Sequence, residues 1–210
     1  MKRAIQSAVI TGPTGAIGTA LCRMLSEMGV RVWAVAHPGS SRMKNLDGIN
    51  GTEIVECDIS ELGRLPSLVP SAEAFYHLAW AKTTGSGRND MDAQIRNIQY
   101  TIDAVRAAAA LKCRVFVGAG SQAEYGRADA ALTPETPCFP ENGYGIAKLC
   151  AGQMSRVECE KMGINHIWPR ILSVYGPCDG PGSMIMSTIS KLLRGERDRK
   201  STRLNSSHSV

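Results

Sequence analysis

The chain has 210 residues, of which 43% are hydrophobic, so it is long enough to bury one sizeable core, or one domain and part of another. Most of its formal charge of +5 lies in residues 197–210, which hold four basic side chains and one acidic one, so the body lacks the charge pattern of a nucleic-acid-binding protein. The seven cysteines form no CxxC pair and no Cys/His cluster, which favours reduced thiols and indicates no metal site. No apolar run has the length of a signal-peptide core or a membrane span, so we expect a cytoplasmic protein without a membrane partner.

The first predicted element is a strand that runs into a glycine turn and a helix, over residues 7–18. Gly12 allows a sharp turn, Gly15 allows backbone N–H groups to approach a pyrophosphate, and Gly18 allows the helix to pack closely on the sheet. This predicts a dinucleotide site, because the helix N-terminus would face the phosphates. The residues expected to contact the cofactor here are Gly12, Thr14, Gly15, Ala16, Ile17 and Gly18. The predicted buried face of the helix consists of Ile17, Leu21, Met24, Leu25 and Met28.

Strand-like and helical segments alternate along the rest of the chain. The predicted strands cover residues 30–36, 52–56, 74–78, 114–119 and 166–171, and the later predicted helices cover residues 93–111, 144–162 and 183–193. The helix over 93–111 has one apolar face, formed by Ile95, Ile98, Ile102, Val105 and Ala109. Because right-handed crossovers put helices on both faces of a parallel sheet, this alternation predicts a doubly wound α/β fold.

The end of the second strand carries no acidic residue, although a carboxylate there would bind the ribose 2′-OH of NAD. His37, Ser41 and Arg42 stand in this segment instead. Hydroxyl and guanidinium donors match the oxygens of a 2′-phosphate, so we expect NADP(H) to be favoured over NAD(H). A solvated loop that merely contains an arginine would leave the same pattern.

Two further strand ends supply candidate cofactor contacts. Asp58 follows the third strand, where its carboxylate suits either the adenine amino group or a helix N-cap. The other candidates are Ile59, next to Asp58, and Leu78, Ala79 and Trp80, after the fourth strand. Structural roles are favoured for His77 and Trp80.

Tyr144 and Lys148 lie four residues apart at the start of a predicted helix, so they share one face. A lysine ammonium near a phenol favours the phenolate and brings its proton into a useful range for acid–base chemistry. Tyr144 is then the proton donor or acceptor, Lys148 also holds the nicotinamide ribose, and Ser121, after the fifth strand, hydrogen-bonds the reacting oxygen. A YxxxK pair is common on helix surfaces, but here a glycine turn, a strand-end serine and this pair converge on one sheet edge.

These features resemble the extended short-chain dehydrogenase/reductases, and more narrowly the NAD-dependent epimerase/dehydratase family that acts on nucleotide sugars. The resemblance covers residues 5 to about 195 and rests on TGxxGxxG, Asp58-Ile59, the HLAW segment, Asn97 with Thr101, Ser121, YxxxK and the segment from Pro169 to Pro177. It implies a Rossmann-type NAD(P) domain, a smaller C-terminal substrate lobe, a nucleotide-sugar substrate and a catalytic set at Ser121, Tyr144 and Lys148. A homodimer through the long helices is a further family expectation.

Departures from the family pattern narrow the expected reaction. Members that eliminate water carry an acidic pair directly after the position of Ser121, whereas this chain has Gln122 and Ala123 there, and Glu124 lies one position too far along. A 4,6-dehydratase is therefore disfavoured, because elimination needs an acid and a base beyond the tyrosine. Reduction and epimerisation need only hydride transfer and one proton relay.

The expected NADP(H) preference favours a nucleotide-sugar 4-ketoreductase, with a 4-epimerase as the alternative. A non-catalytic dinucleotide sensor, the rival class, would be marked by a broken catalytic set, and all three members are present. Ser173 stands where the family usually has asparagine, which leaves a small non-nucleotide carbonyl substrate open.

The expected domain organisation has three parts. Residues 1–181 form the NAD(P)-binding domain, and residues 182–196 begin a truncated substrate lobe, since the family resemblance calls for a larger one. Residues 197–210 are polar and without periodicity, so we expect a disordered, unrelated tail.

Overall fold

The computed structural model describes residues 4–180 and 183–196. Its strands are β1 (Ser7–Thr11), β2 (Arg31–Ala36), β3 (Thr52–Glu56), β4 (Ala74–His77), β5 (Val115–Gly118), β6 (Gly120–Ser121), β7 (Asn165–Ile167) and β8 (Arg170–Ile171). Its α-helices are α1 (Ala16–Glu27), α2 (Leu65–Leu68), α3 (Met91–Ala110), α4 (Gly143–Lys161) and α5 (Met184–Leu193). Short 3-10 segments cover Met43–Leu46, Ile59–Arg64, Gly85–Asn89 and Gln122–Glu124.

Six strands form one parallel sheet in the order β3-β2-β1-β4-β5-β7, which confirms the doubly wound fold expected from the sequence. The chain changes direction across the sheet between β1 and β4. The last residues of these strands, Thr11 and His77, are paired in register, and His77 is paired with Gly118 at the end of β5. In open parallel sheets, ligands bind outside the carboxyl ends of the strands at such a switch point. The segments that follow residues 11, 77 and 118 therefore lie at the expected ligand edge.

The central strands β1 and β2 of the main sheet are buried on both faces, which explains their short, continuous hydrophobic runs. In β1, Val9 packs with Phe75 and Phe116 on one side of the sheet, whereas Ala8 and Ile10 pack in a second core cluster on the other side. Successive side chains of a strand point to opposite faces, so both faces need apolar residues when helices cover both. Helix α3 contributes to the first cluster and α1 to the second.

The predicted buried face of α1 was wrong at Ile17, Met24 and Met28, which are 39%, 50% and 65% exposed. The buried residues of this helix are instead Gly18, Thr19, Cys22 and Leu25. Three of these four residues are small, and a Cβ on Gly18 would lie only 2.7 Å from Pro13 Cα. The helix therefore approaches the glycine turn too closely for bulky side chains on that face.

Helix α3 follows the predicted face at Ile102 and Val105, but the prediction was wrong for Ile95, which is 64% exposed. The buried positions in the first half of this helix include the polar residues Gln94 and Asn97. Both side chains hydrogen-bond the segment after β4, as described below, so polar contacts replace apolar packing at this end of the helix.

The predicted strand over 166–171 divides into β7 and β8, with Trp168 and Pro169 between them. Pro169 has no N–H to donate to a ladder. Its carbonyl accepts from Gly120 N at 2.9 Å, and β8 then pairs in parallel with β6 in a separate two-stranded sheet. The chain thereby leaves the edge of the main sheet and runs beside Ser121, which pairs with Ile171.

Two compact units are distinguished, Met1–Ser173 and Val174–Val210. The described part of the second unit contains α5, whose N-cap Ser183 accepts a hydrogen bond from Met186 N at 3.3 Å. The expected tail over 197–210 lies outside the described residues. Within the described ranges, no helix is both long enough and apolar enough to cross a bilayer.

Candidate functional site

The glycine turn after β1 is closed on its inner side and open on its outer side. Gly12 has φ +69°, and a Cβ there would lie 2.8 Å from Ala79 N, so no other residue fits without displacing the backbone. A Cβ on Gly15 would meet only Gly12 O, at 3.8 Å. Gly15 caps α1 without a side-chain hydrogen bond, so the first N–H groups of the helix are left for a ligand.

The remaining predicted contacts of this turn differ in exposure. Ala16 and Ile17 begin α1 on its accessible side, whereas Thr14 is buried and its carbonyl accepts a 2.9 Å hydrogen bond from Asn45 Nδ2. Thr19 Oγ1 donates to Pro13 O at 3.0 Å and ties the helix to the turn. These bonds hold the turn in one shape and leave its outer side open.

The segment after β2 places His37, Ser41 and Arg42 on the surface. His37 Nδ1 lies 2.6 Å from Asp58 Oδ2, so the ends of β2 and β3 are joined by a histidine–carboxylate pair. Asp58 Oδ1 also accepts from Ser60 N at 2.9 Å and from Ser60 Oγ at 2.6 Å. The two Ser60 hydrogen bonds are the main cause that lowers the pKa of Asp58, with His37 adding to the effect. Asp58 is therefore the N-cap of the segment that starts at Ile59.

The segment after β4 is held by buried polar side chains. His77 Nδ1 lies 2.9 Å from Thr11 Oγ1, which in turn accepts from Ala79 N at 3.3 Å. Burial, and secondarily the Lys148 charge, lowers the pKa of His77 to about 3, so this histidine is neutral. Leu78 continues the pairing with β1 through its N–H to Thr11 O at 3.2 Å.

Helix α3 fixes the position of Trp80 and the residue after it. Trp80 Nε1 donates to Gln94 Oε1 at 2.9 Å. The Asn97 side chain bonds both backbone groups of Ala81, accepting from N at 2.9 Å and donating to O at 3.0 Å. These contacts explain why polar residues occupy buried positions of α3 and orient the Trp80 ring toward α4.

The structure brings Ser121, Tyr144 and Lys148 together. Asn142 caps α4 by accepting from Gly145 N at 2.9 Å, which starts the helix just before Tyr144. The Ser121 hydroxyl lies close enough to the Tyr144 phenol to lower the pKa of that phenol. Lys148 Nζ donates to Ala119 O at 2.7 Å and lies 5.8 Å from the centre of the Tyr144 ring. All three side chains meet beside the carboxyl end of β5, at the switch-point edge.

Two cations lie against the rings of this cluster. Lys148 Nζ lies 3.6 Å from the centre of the Trp80 ring, and the Arg88 guanidinium carbon lies 4.5 Å from the centre of the Tyr144 ring. Trp80 meets Tyr144 edge-on at 6.0 Å. Such cation–ring contacts are favourable and hold both partners in place.

Burial dominates the charge states of the two candidate catalytic groups. It raises the pKa of Tyr144, and the Ser121 hydrogen bond and the Arg88 charge oppose that rise. It lowers the pKa of Lys148 to about 7, and the Glu124 carboxylate opposes that fall. At neutral pH the phenol is therefore protonated, and the amine is divided between its charged and neutral forms.

Sequence reasoning missed three side chains that shape this site: Arg88, Glu124 and Trp168. Arg88 sits in a short glycine-flanked 3-10 segment and left no local signal. Trp168 occupies a slot whose walls include Gly120 and Gly152, since a Cβ on either would lie 2.5 Å and 2.7 Å from the indole. Glu124 did leave a signal, because Ser121-x-x-Glu124 is the capping-box pattern, and both of its hydrogen bonds are formed.

The chain is similar to a known protein family and to curated proteins within it. The family model described as the NAD dependent epimerase/dehydratase family matches residues 8–208. The dTDP-6-deoxy-L-talose 4-dehydrogenase (NAD(+)) of Aggregatibacter actinomycetemcomitans is 32% identical over 143 residues, which cover 67% of this chain and 50% of that protein. The dTDP-4-dehydro-6-deoxy-D-allose reductase of Streptomyces bikiniensis is 23% identical over 213 residues, which cover 91% of this chain and 64% of that protein.

A crystal structure of UDP-glucuronic acid 4-epimerase from Bacillus cereus in complex with NAD has the same fold. It matches with a TM-score of 0.80 and 22% identity, over 90% of this chain and 63% of that chain. The chain thus spans between half and about two thirds of the length of the relatives described here.

Proposed function

Because the chain belongs to the NAD-dependent epimerase/dehydratase family, we propose that it is an NAD(P)-dependent oxidoreductase of nucleotide sugars and that it reduces a 4-keto group. The observation that carries this proposal is the cluster of Ser121, Tyr144 and Lys148 at the carboxyl edge of the sheet. A hydroxyl, a phenol and an amine grouped there have the chemistry needed to protonate a carbonyl oxygen.

The proposed reaction converts a ketone into a secondary alcohol. When bound, the reduced nicotinamide supplies a hydride to the carbonyl carbon. Tyr144 donates its phenolic proton to the carbonyl oxygen, and the Ser121 hydroxyl hydrogen-bonds that oxygen and orients it. Lys148 holds the Ala119 carbonyl and lies beside Tyr144, where its charge stabilises the phenolate left after proton transfer.

Two observations favour reduction over the other reactions of the family. Burial keeps Tyr144 protonated at neutral pH, and reduction requires an acid in the ground state. Gln122 and Ala123 directly follow Ser121, so that segment lacks the acid and the base that dehydration needs. The names of the two curated relatives, a 4-dehydrogenase and a 4-dehydro-sugar reductase, support redox chemistry at C4.

We further propose that NADP(H) is the preferred cofactor. Residues 36–42, at the end of β2, contain no carboxylate, and His37, Ser41 and Arg42 are exposed there. The Asp58 carboxylate, two residues after the end of β3, is paired with His37 at 2.6 Å. This pair leaves the Ser41 hydroxyl and the Arg42 guanidinium as donors for a 2′-phosphate. One relative is named for NAD(+), so the affinities for both cofactors must be measured to test this preference.

A cytoplasmic homodimer through α3 and α4 completes the proposal. Exposed apolar side chains on the two helices support a helix-to-helix interface, among them Ile95 on α3 and Met154 and Val157 on α4. Sedimentation of the purified chain at increasing concentration tests this part independently of activity.

The reductase is tested by loss of NADPH absorbance with a dTDP-4-keto-6-deoxy sugar. Tyr144→Phe removes the proton donor and should lower kcat by about a hundredfold or more without changing the Kd for NADPH. Tyr100→Phe, on α3, is the control and should retain activity. Interconversion of two sugars without net NADPH consumption would assign the 4-epimerase instead. Cofactor binding without conversion of a keto or hydroxyl sugar would favour the dinucleotide sensor.

A further inference from the structure

Glu124 is a completely buried carboxylate directly beneath the candidate site, at 0% exposure. Oε1 accepts from Ser121 N at 2.7 Å and from Trp168 Nε1 at 3.1 Å, and Oε2 accepts from Arg170 Nε at 2.9 Å. A buried carboxylate is costly unless hydrogen bonds and an opposite charge compensate it, and both are present here. Its charge is therefore built into this part of the fold.

The first consequence concerns Ser121. Glu124 holds the N–H of Ser121, while Ser121 Oγ accepts from Ala123 N at 3.2 Å. The same turn therefore restrains both the backbone N–H and the side-chain oxygen of Ser121. The hydroxyl of Ser121 keeps its proton free for the contact with Tyr144 or for a substrate oxygen.

The second consequence concerns Lys148. Its ammonium donates to the carbonyl of Ala119, two residues before the N–H that Glu124 holds. The Trp168 indole bonds Glu124 through Nε1 and lies with its ring 6.0 Å from Lys148 Nζ. A buried negative charge is thereby placed on the same strand end as a buried amine, and it opposes the loss of the amine's proton.

The other titratable groups around these two side chains do not replace that charge. His77 on β4 is neutral, and Tyr144 on α4 is a protonated phenol. Arg170 on β8 binds Glu124 from the side of Tyr125, whose hydroxyl accepts from Arg170 Nη1 at 3.1 Å. Among the groups that influence Lys148, Glu124 is the one that favours its charged form.

We propose that Glu124 is a positioning residue, which fixes Ser121 through its backbone N–H and favours the charged form of the Lys148 amine. Its effect on turnover rests on the proposed function, because it acts through Ser121 and Lys148. Its effect on Lys148 is a property of the folded chain and is measured without substrate.

The test is a pH titration of Lys148 by NMR in protein labelled with 13C at lysine Cε, with the signal assigned by its absence in Lys148→Met. Glu124→Gln keeps the length and one oxygen acceptor but removes the charge, and it should lower the Lys148 pKa by about one unit. Glu141→Gln, which removes an exposed carboxylate paired with Arg127, is the matched control and should leave the Lys148 pKa unchanged. An unchanged Lys148 pKa in folded Glu124→Gln would overturn the proposal.

The double variant Glu124→Gln/Arg170→Gln protects the test against misfolding, because it removes the cation that Glu124→Gln leaves without its partner. It should show the same fall in the Lys148 pKa. If the reductase assignment holds, Glu124→Gln also lowers kcat about tenfold, leaves the Kd for NADPH unchanged and alters the pH profile of kcat. If removal of the Glu124 charge does not lower the Lys148 pKa, the role proposed for Glu124 is contradicted. If the wild type shows no turnover, only the proposed function is contradicted.

Discussion

Burial of Lys148 makes the stability of this chain rise with pH, whereas a lysine whose pKa is raised by an ion pair makes stability fall as pH rises. Lys148 is 3% exposed, and burial lowers the pKa of its amine from 10.5 to about 7. Between these two values the unfolded chain binds a proton that the folded chain does not bind. Stability therefore rises with pH through this window, because unfolding takes up a proton that becomes scarcer.

The size of the effect follows from the two pKa values. Each pH unit within the window contributes up to about 1.4 kcal/mol, and the folded amine is already half protonated at its own pKa near 7. The wild type should therefore gain about 2 kcal/mol from Lys148 between pH 7 and pH 9. Lys148→Met keeps much of the side-chain volume and removes the titrating group, so it should lose this gain.

The measurement is urea unfolding at half-unit pH steps in the presence of a reductant. The informative quantity is the free energy of unfolding of the wild type minus that of Lys148→Met, since other titrations cancel. Those include Cys22 and Cys159, whose pKa values burial raises to about 11, and which act in the opposite direction at higher pH. Lys161→Met, on the surface beside Glu158, is the control and should show no such difference. A wild-type curve parallel to that of Lys148→Met would refute the reasoning.

Two further changes test the cofactor pocket and the packing beneath the site. Arg42→Gln should weaken NADPH binding about tenfold and leave NADH binding unchanged, because a charge-assisted hydrogen bond to the 2′-phosphate is lost. Titration calorimetry measures both affinities, and Arg96→Gln, an exposed position on α3, is the control. Equal losses of affinity for the two cofactors would contradict the proposed 2′-phosphate pocket. Gly152→Ala places a Cβ 2.7 Å from Trp168 Cε2 and should destabilise the fold by about 2 kcal/mol in thermal unfolding. Gly63→Ala, where a Cβ meets nothing within 4 Å, should be nearly neutral, and equal melting temperatures for both variants would show that the slot is not tight.

The fold was predictable from sequence because its central strands are buried on both faces. Runs such as Ala8 to Ile10 need apolar residues at every position, which separates them from the amphipathic helices around them. Helix faces were less predictable. Periodicity cannot show that Gln94 and Asn97 point inward, because the partners that satisfy them lie on the irregular segment between β4 and α3.

The candidate site was predictable where it depends on local spacing. Tyr144 and Lys148 share a helix face because they are four residues apart, and the turn at Gly12 carries its own pattern. The ion pair between Glu124 and Arg170 joins segments 46 residues apart, and no local rule connects them. The same holds for Arg88, whose contact with Tyr144 joins segments on either side of α3 and β5.

The position of Lys148 between two indoles has a practical consequence. Its nitrogen lies 3.6 Å from the ring centre of Trp80 and 6.0 Å from that of Trp168, whereas the third tryptophan, Trp33, lies in β2. Gain or loss of a positive charge at such distances perturbs the excited state of an indole. Intrinsic emission will thus report the ionisation of this amine optically, in unlabelled material and at dilutions far below those that magnetic resonance requires.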